Sequence, residues 1–333
     1  MSIIPIFIPH AGCPHQCVFC NQKKISGQKT ASAQAVRQQI EKYLQWIKPE
    51  LDNEAAFYGG SFTGLDIELQ EELFKPVDEL LQAGVIGAVR CSTRPDYITP
   101  VKLELLKKHN VSTVELGVQS LDDKVLNLAE RGHNAESVAK AVQLLRSYGF
   151  NVGLQLMCGM PGQSKESFLA TVAQSIALKP DIIRLYPLLV IKDTPLEESF
   201  KKGLFKPLTV EEAAEQCAEA FELFANNSIK VIRIGLQADE ELCSPGNIIA
   251  GPFHPAFGEI VKSMVLRRKL TPQILAHSEN GSKKVRIYIS KKEISKLRGQ
   301  KNSNIKYWQD MGVQVEVIGI DDGTLKVEGV GCE

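Results

Sequence analysis

The chain has 333 residues, 44% hydrophobic and 23% charged, with 39 Lys/Arg against 39 Asp/Glu. That balance fits a globular chain with a real core and argues against a disordered one. No apolar run reaches the roughly 18 residues that span a bilayer, and the first strand-like stretch is too short for a signal peptide and lacks its basic flank, so no membrane partner and a cytoplasmic location are expected.

Strand-like and helix-like segments alternate through the first 230 residues. Ile3–Ile8 reads as a strand, followed by a cysteine-bearing loop and a helix over 32–47. Residues 54–58 read as a second strand ending in Gly59-Gly60, and 66–82 as a helix. A strand over 86–92 and a helix over 100–109 follow. Residues 113–118 form the fourth strand, and a broken helical stretch around Arg131-Gly132-His133 comes after it. The fifth unit is a strand over 151–157 with a helix over 164–178. The sixth is a strand over 182–189 with a helix over 209–226, for which Thr209 is the natural N-cap. Six such units predict a parallel sheet. Right-handed crossovers curl it toward a partial (βα)6 TIM-like barrel, an α/β fold.

The chemistry of such barrels sits at the C-terminal ends of the strands. Each predicted strand here ends in a polar or glycine-rich signal: Cys13 to Cys20, Gly59 to Thr63, Ser92-Thr93-Arg94, Gln119-Ser120, Gly159 to Gly162, and Tyr186-Pro187. The remainder reads differently. Residues 246–257 look like a rigid loop, 258–269 like a helix, and the chain beyond 283 is short, basic and mixed. The expected domains are 1–235, the barrel, and 236–333, a small α+β domain.

Eight cysteines in a reducing compartment are metal ligands, catalytic groups or core fillers. Cys91, Cys158 and Cys217 have apolar or helical surroundings and read as small buried hydrophobes. Cys243 lies in a loop and Cys332 near a chain end. Only Cys13, Cys17 and Cys20 cluster. Three soft thiolates can hold three irons of a [4Fe–4S] cubane and leave the fourth iron open. An open iron can bind the amine and carboxylate of S-adenosylmethionine (SAM). The alternative is a zinc site completed by His10 or His15.

The Cys-x3-Cys-x2-Cys loop resembles the signature of the radical SAM superfamily. The segment Ala56-Phe57-Tyr58-Gly59-Gly60-Ser61-Phe62-Thr63 resembles that superfamily's glycine motif. Ser92-Thr93-Arg94-Pro95-Asp96-Tyr97, Val114-Glu115-Leu116-Gly117-Val118-Gln119-Ser120 and Arg131-Gly132-His133 look like the radical SAM domain of the Elongator catalytic subunit. The coproporphyrinogen dehydrogenase group has similar Gln-Ser and Gly-x-Pro motifs. The likeness covers about residues 1–235. Two departures limit it: the cysteine spacing is the short form, and an added acetyltransferase domain has no room, so Elongator's acetyl-CoA chemistry is not carried over.

The resemblance implies a [4Fe–4S] cluster on Cys13, Cys17 and Cys20 and a 5′-deoxyadenosyl radical made from SAM. It also implies an electron-donor protein such as a flavodoxin or ferredoxin. The residue types suit SAM. Gly59 and Gly60, with Ser61 beside them, allow close backbone approach. Gln119 can serve ribose hydroxyls, and Gln155 can reach the nucleoside. Arg131 can fork onto the SAM carboxylate. Ser92 and Arg94 face the pocket, unless Arg-Pro-Asp is only a helix-entry turn. Gly159 lets adenine stack on the backbone. Tyr186 faces either substrate or core, and His133 and His254 read as structural.

Residues 262–308 hold thirteen Lys/Arg and two acids, a net of +11, which points to an anionic partner. Strand, helix, tight loop, helix, strand, strand over about 283–330 is the KH order, with Gly299, Gln300, Lys301 and Asn302 as the phosphate-facing loop. Asn stands where the second Gly belongs and tolerates the left-handed conformation. The function expected is radical modification of an RNA nucleotide, with tRNA the substrate. The alternatives are a radical SAM enzyme of a small metabolite and a non-catalytic, zinc-bearing RNA-binding protein.

Overall fold

The computed structural model describes residues 2–8, 13, 16–21, 31–236, 242–279, 283–321 and 323–330. The chain divides into two compact units, Met1–Thr209 with Leu223–Phe253, and Val210–Glu222 with His254–Glu333.

The strands of the first unit are β1 (Ile3–Ile8), β2 (Glu54–Gly59), β3 (Ala88–Thr93), β4 (Val111–Gln119), β5 (Asn151–Cys158), β6 (Ile182–Pro187), β7 (Val190–Ile191), β8 (Lys230–Ile234) and β9 (Ile248–Ala250). All but β7 and β9 form one sheet, ordered β1-β2-β3-β4-β5-β6-β8. Every neighbouring pair in it is parallel. The order runs from β1 at one edge to β8 at the other, so the sheet is a partial barrel of the expected α/β kind. Its helices are α1 (Ala33–Leu44), α2 (Ile67–Gln82), α3 (Pro100–Lys108), α4 (Asp123–Leu128), α5 (Ala135–Ser147), α6 (Lys165–Ala177) and α7 (Pro195–Lys201); α8 (Val210–Asn226) precedes β8 in sequence, and its residues Val210–Glu222 belong to the second unit.

Side chains along a strand alternate between faces, and that alternation builds the site. One face carries Ile4, Ile6, Val114, Leu116, Val118, Leu154 and Leu185, each at most 1% exposed. The opposite face carries Phe7, Tyr58, Glu115, Gly117, Gln119, Gln155, Arg184 and Tyr186, and these line a cavity. Caps fix where helices begin: Ser32 Oγ accepts from the Ala35 amide at 3.2 Å, and Asn134 and Ser137 form a reciprocal capping box on α5.

Three features differ from the sequence reading. A seventh strand, β8, extends the sheet beyond the six predicted. The sixth strand stops at Pro187, whose missing N–H cannot continue a ladder. The chain resumes as β7, which pairs antiparallel with β9 inside the stretch read as loop.

The second unit contains α9 (Phe257–Glu279), β10 (Lys284–Ser290), α10 (Ile294–Arg298), α11 (Ser303–Asp310), β11 (Gln314–Ile320) and β12 (Lys326–Val330). Helix α9 runs ten residues past the expected end at 269, through Pro272. The sheet order is β11-β10-β12, with β10 parallel to β11 and antiparallel to β12. Leu270, Ile274, Val285, Ile287, Leu297 and Trp308 form its core. The element order from β10 onward is the one read from the sequence.

Candidate cluster and cofactor site

A cavity of about 290 Å³ is lined by Cys13, Cys17 and Cys20. Gly59, Gly60 and Ser61 line it from the end of β2, and Ser92 and Arg94 from the end of β3. Gln119 from β4, Arg131 from the turn after α4, and Gln155 from β5 complete the predicted set. Gly159 is outside that lining: a Cβ there would meet Leu208 Cδ1 at 2.9 Å. His10 and His15, raised as zinc ligands, lie outside the described residues.

Two guanidinium groups reach the cysteines. Arg94 Nη1 lies 3.9 Å from Cys13 Sγ, and Arg131 Nη1 donates to Cys17 Sγ at 3.5 Å. Arg94 is gripped by Asp96, which accepts from Nε and Nη2 at 2.9 Å each. It follows directly on β3 and opens the short 3-10 turn Pro95–Tyr97, so it lies at the pocket and at a helix-entry turn together. Burial works against its charge, but Asp96, Cys13 and Cys17 outweigh burial and raise its pKa. Arg131 Nη2 donates to the Gly117 carbonyl at 2.6 Å. A Cβ on residue 117 would stand 2.9 Å from that nitrogen, so a side chain there would displace the guanidinium. Arg131 Nε is buried with no hydrogen-bond partner among the described residues.

Gln119 and Gln155 pair with each other, Nε2 to Oε1 at 3.0 and 2.7 Å. Gln119 holds a positive φ of 67°, an uncommon conformation for this residue type that turns the chain at the rim. Gly59 has φ 102°, and a Cβ there would fall 2.4 Å from the Ile8 carbonyl oxygen. Ser61, Thr63 and Thr93 join hydroxyls at 2.9 and 2.6 Å under the glycine motif.

The sequence reading missed a charged layer beside these residues. Glu115 accepts from Arg184 Nε at 2.5 Å and Nη2 at 3.0 Å, and from Arg90 Nη1 at 3.2 Å. Arg90 also pairs with Glu54. Arg184 Nη2 donates to the Tyr58 hydroxyl at 2.8 Å, and Nη1 reaches the Tyr186 hydroxyl at 3.5 Å. Burial, then Glu115, pushes the Tyr58 phenol up to about 12, so it stays protonated. Tyr58, Glu115, Arg184 and Tyr186 line the same cavity as the cysteines. Tyr58 and Glu115 stand in motifs quoted for the resemblance and Tyr186 at a strand end, whereas Arg184 had only its alternation with apolar residues to signal it. His133, buried beside the site, is pushed down to about 3 by burial and then by Arg131 and Arg94.

Among the described residues no three His, Cys, Asp or Glu side chains are gathered for a single metal ion. A cubane takes one thiolate per iron, so its ligands stand apart around a shared space. Three cysteines around one cavity, two guanidinium groups against two of the sulfurs, and an orphaned buried N–H suit an anionic thiolate-bound group and its anionic co-ligand.

In the second unit, Gly299, Lys301 and Asn302 have φ of 71°, 53° and 60°. With Lys291, Ser295 and Arg298 they line an open hollow of about 530 Å³. Gln300 Nε2 instead meets His254 Nε2 at 2.8 Å. The net charge of 262–308 is partly balanced in space: Arg268 pairs with Glu222, Lys284 and Arg286 with Glu316, and Lys291 with Asp321. Lys292, Arg298, Lys301 and Lys306 are exposed and make no ion pair with described residues. No helix of the described residues is long and apolar enough to cross a membrane.

Comparison with known proteins agrees with this geometry. The tRNA uridine(34) acetyltransferase of Methanocaldococcus infernus is 30% identical over 256 residues, which cover 65% of this chain and 48% of that protein. Human Elongator complex protein 3 is 25% identical over 269 residues, 67% of this chain and 49% of that protein. The chain thus spans about half the length of these curated relatives. The structure of archaeal M. infernus Elp3 with an N-terminal deletion superposes with a TM-score of 0.67 at 27% identity, covering 81% of this chain and 63% of that one. Coproporphyrinogen III oxidase (HemN) from Escherichia coli shares the fold, at a TM-score of 0.50 and 18% identity over 68% of this chain and 52% of that one. The family description Radical SAM C-terminal domain matches residues 180–267, and that of the Radical SAM superfamily matches residues 7–174. The chain belongs to the radical SAM superfamily.

Proposed function

We propose that the chain is a radical SAM enzyme that modifies RNA, with tRNA its substrate, holding a [4Fe–4S] cluster on Cys13, Cys17 and Cys20. When bound, the cluster supplies the electron that reductively cleaves SAM to a 5′-deoxyadenosyl radical. The chain's own groups bind and orient. Arg131, whose Nε–H has no partner among the described residues, takes the SAM carboxylate. Gly59 and Gly60 offer carbonyls to its amine, with Ser61 beneath them. Gln119 and Gln155 exchange their mutual pair for ribose hydroxyls. Arg94 and Ser92 complete the rim. Residues 1–235 carry this chemistry, and 236–333 present RNA through the KH-like loop Gly299–Asn302. A flavodoxin or ferredoxin delivers the electron, and the protein works in the cytoplasm.

The observation that carries this reading is the convergence of three cysteines, two guanidinium groups and an amide pair on a single cavity. The tRNA assignment is supported by what the similar proteins are named for and by the exposed cations around the loop. The test is nucleoside analysis of tRNA incubated with reconstituted enzyme, SAM and reductant. A new or lost modified nucleoside supports the reading. Release of 5′-deoxyadenosine with unchanged tRNA, and no retention of tRNA, moves the substrate to a small metabolite.

A further inference from the structure

We propose that Tyr307 is a stacking platform for an unpaired RNA base, set one helical turn from the phosphate-facing loop; this rests on reading Gly299–Asn302 as RNA-binding. Tyr307 is 36% exposed although it carries a large aromatic side chain. The Arg267 guanidinium lies over it, 4.4 Å from the centroid. A face covered by a cation is held in place, and an exposed aromatic ring held in this way suits a base, since every base has a π-face.

The placement follows from two helices in register. A Cβ on Gly299 would lie 2.5 Å from Ser303 Oγ and 2.8 Å from Ser263 Oγ, so the loop sits against both residues. Tyr307 is four residues beyond Ser303 on α11, and Arg267 four beyond Ser263 on α9. Residues four apart share a helix face, about 6 Å along the axis. The stack therefore lies about one turn from the loop along both helices. Asn304 makes the arrangement rigid: buried, it donates to the Ser263 carbonyl at 3.0 Å, Ser263 Oγ at 3.0 Å and the Leu297 carbonyl at 2.8 Å. Lys301 and Lys306, both exposed and near in sequence, supply phosphate neutralisation. The occupant favoured is single-stranded RNA, because stacking and exposed cations recognise a base and its phosphate together.

The test is fluorescence anisotropy of a fluorescein-labelled ten-nucleotide oligouridylate with the full chain at two salt concentrations. Tyr307→Ala should weaken binding about tenfold or more, with the salt slope unchanged because no charge is lost. Tyr307→Phe should bind like wild type. Tyr307→Trp should bind too, and should gain an emission that RNA quenches beyond any change in wild type. Lys301→Asp should weaken binding and flatten the salt slope. Equal binding by Tyr307→Ala, with Lys301→Asp impaired, would overturn the stacking proposal and leave the loop reading standing. Equal losses in Tyr307→Phe and Tyr307→Ala would also overturn it, assigning the contact to the hydroxyl. No RNA binding by wild type would remove both.

Discussion

Arg94 Nη2 donates to the backbone carbonyl of Arg131 at 2.7 Å. The side chain beside Cys13 thus braces the residue beside Cys17, across 37 positions of sequence. The two should act as one unit. Arg94→Met and Arg131→Met should each raise the SAM dissociation constant about tenfold or more, the loss of charged hydrogen bonds of about 1.5–3 kcal/mol. The double variant should fall well short of the product of the two effects, since residues in one network couple. Equilibrium dialysis of SAM against reconstituted protein measures this. Independent, multiplicative losses would separate the two arginines.

The rim glycine is a backbone requirement. Gly59→Ala must hold φ near 102° and place a methyl against the Ile8 carbonyl oxygen. The strain alone costs about 1–3 kcal/mol, so the urea midpoint should drop clearly, and iron uptake with it. An unchanged midpoint would contradict the close approach of β1 and β2.

The buried charge layer predicts a sharper effect. The side chain of Glu115, 4% exposed, serves Arg90 and Arg184, whose side chains are 7% and 13% exposed. Glu115→Gln leaves both cations without their shared carboxylate and should destabilise the fold by about 3–5 kcal/mol. Denaturant unfolding reads this directly, and a loss under about 1 kcal/mol would place the pair in a solvent-screened setting instead.

Much of this was legible in the sequence. The strand–helix alternation gave the sheet because each unit has its own local signals, and the rim residues were found because strand ends in such sheets carry the chemistry. Strand β8 was missed because Lys230 and Arg233 interrupt its short apolar run. The end of α9 was missed because Pro272 reads as a breaker. Glu115, Arg90 and Arg184 were missed for a deeper reason: charged residues within strands read as a solvated face. Only closure of the sheet shows that this face is the barrel interior. The ion pairs of the basic segment were equally invisible, since Glu222, Glu316 and Asp321 lie outside it in sequence.

His133 supplies a pH signature. Its folded pKa is about 3 against an ordinary 6.5. The folded state therefore binds the proton less readily than the unfolded one. Its contribution is complete above about pH 6.5 and is lost progressively as pH falls toward 3, at up to about 1.4 kcal/mol per pH unit. Denaturant unfolding between pH 4 and 7 should show this limb, and His133→Gln should flatten it. An identical pH dependence in both proteins would place the titration elsewhere.

Cys13, Cys17 and Cys20 should hold an iron–sulfur cluster that drives SAM cleavage. The direct measurement is anaerobic reconstitution followed by iron and sulfide analysis and assay of 5′-deoxyadenosine under reducing conditions. Wild type should carry about four irons and four sulfides per chain and release 5′-deoxyadenosine, and Cys17→Ala should do neither. Bound zinc without sulfide, or cleavage of SAM that survives in Cys17→Ala, would contradict the account.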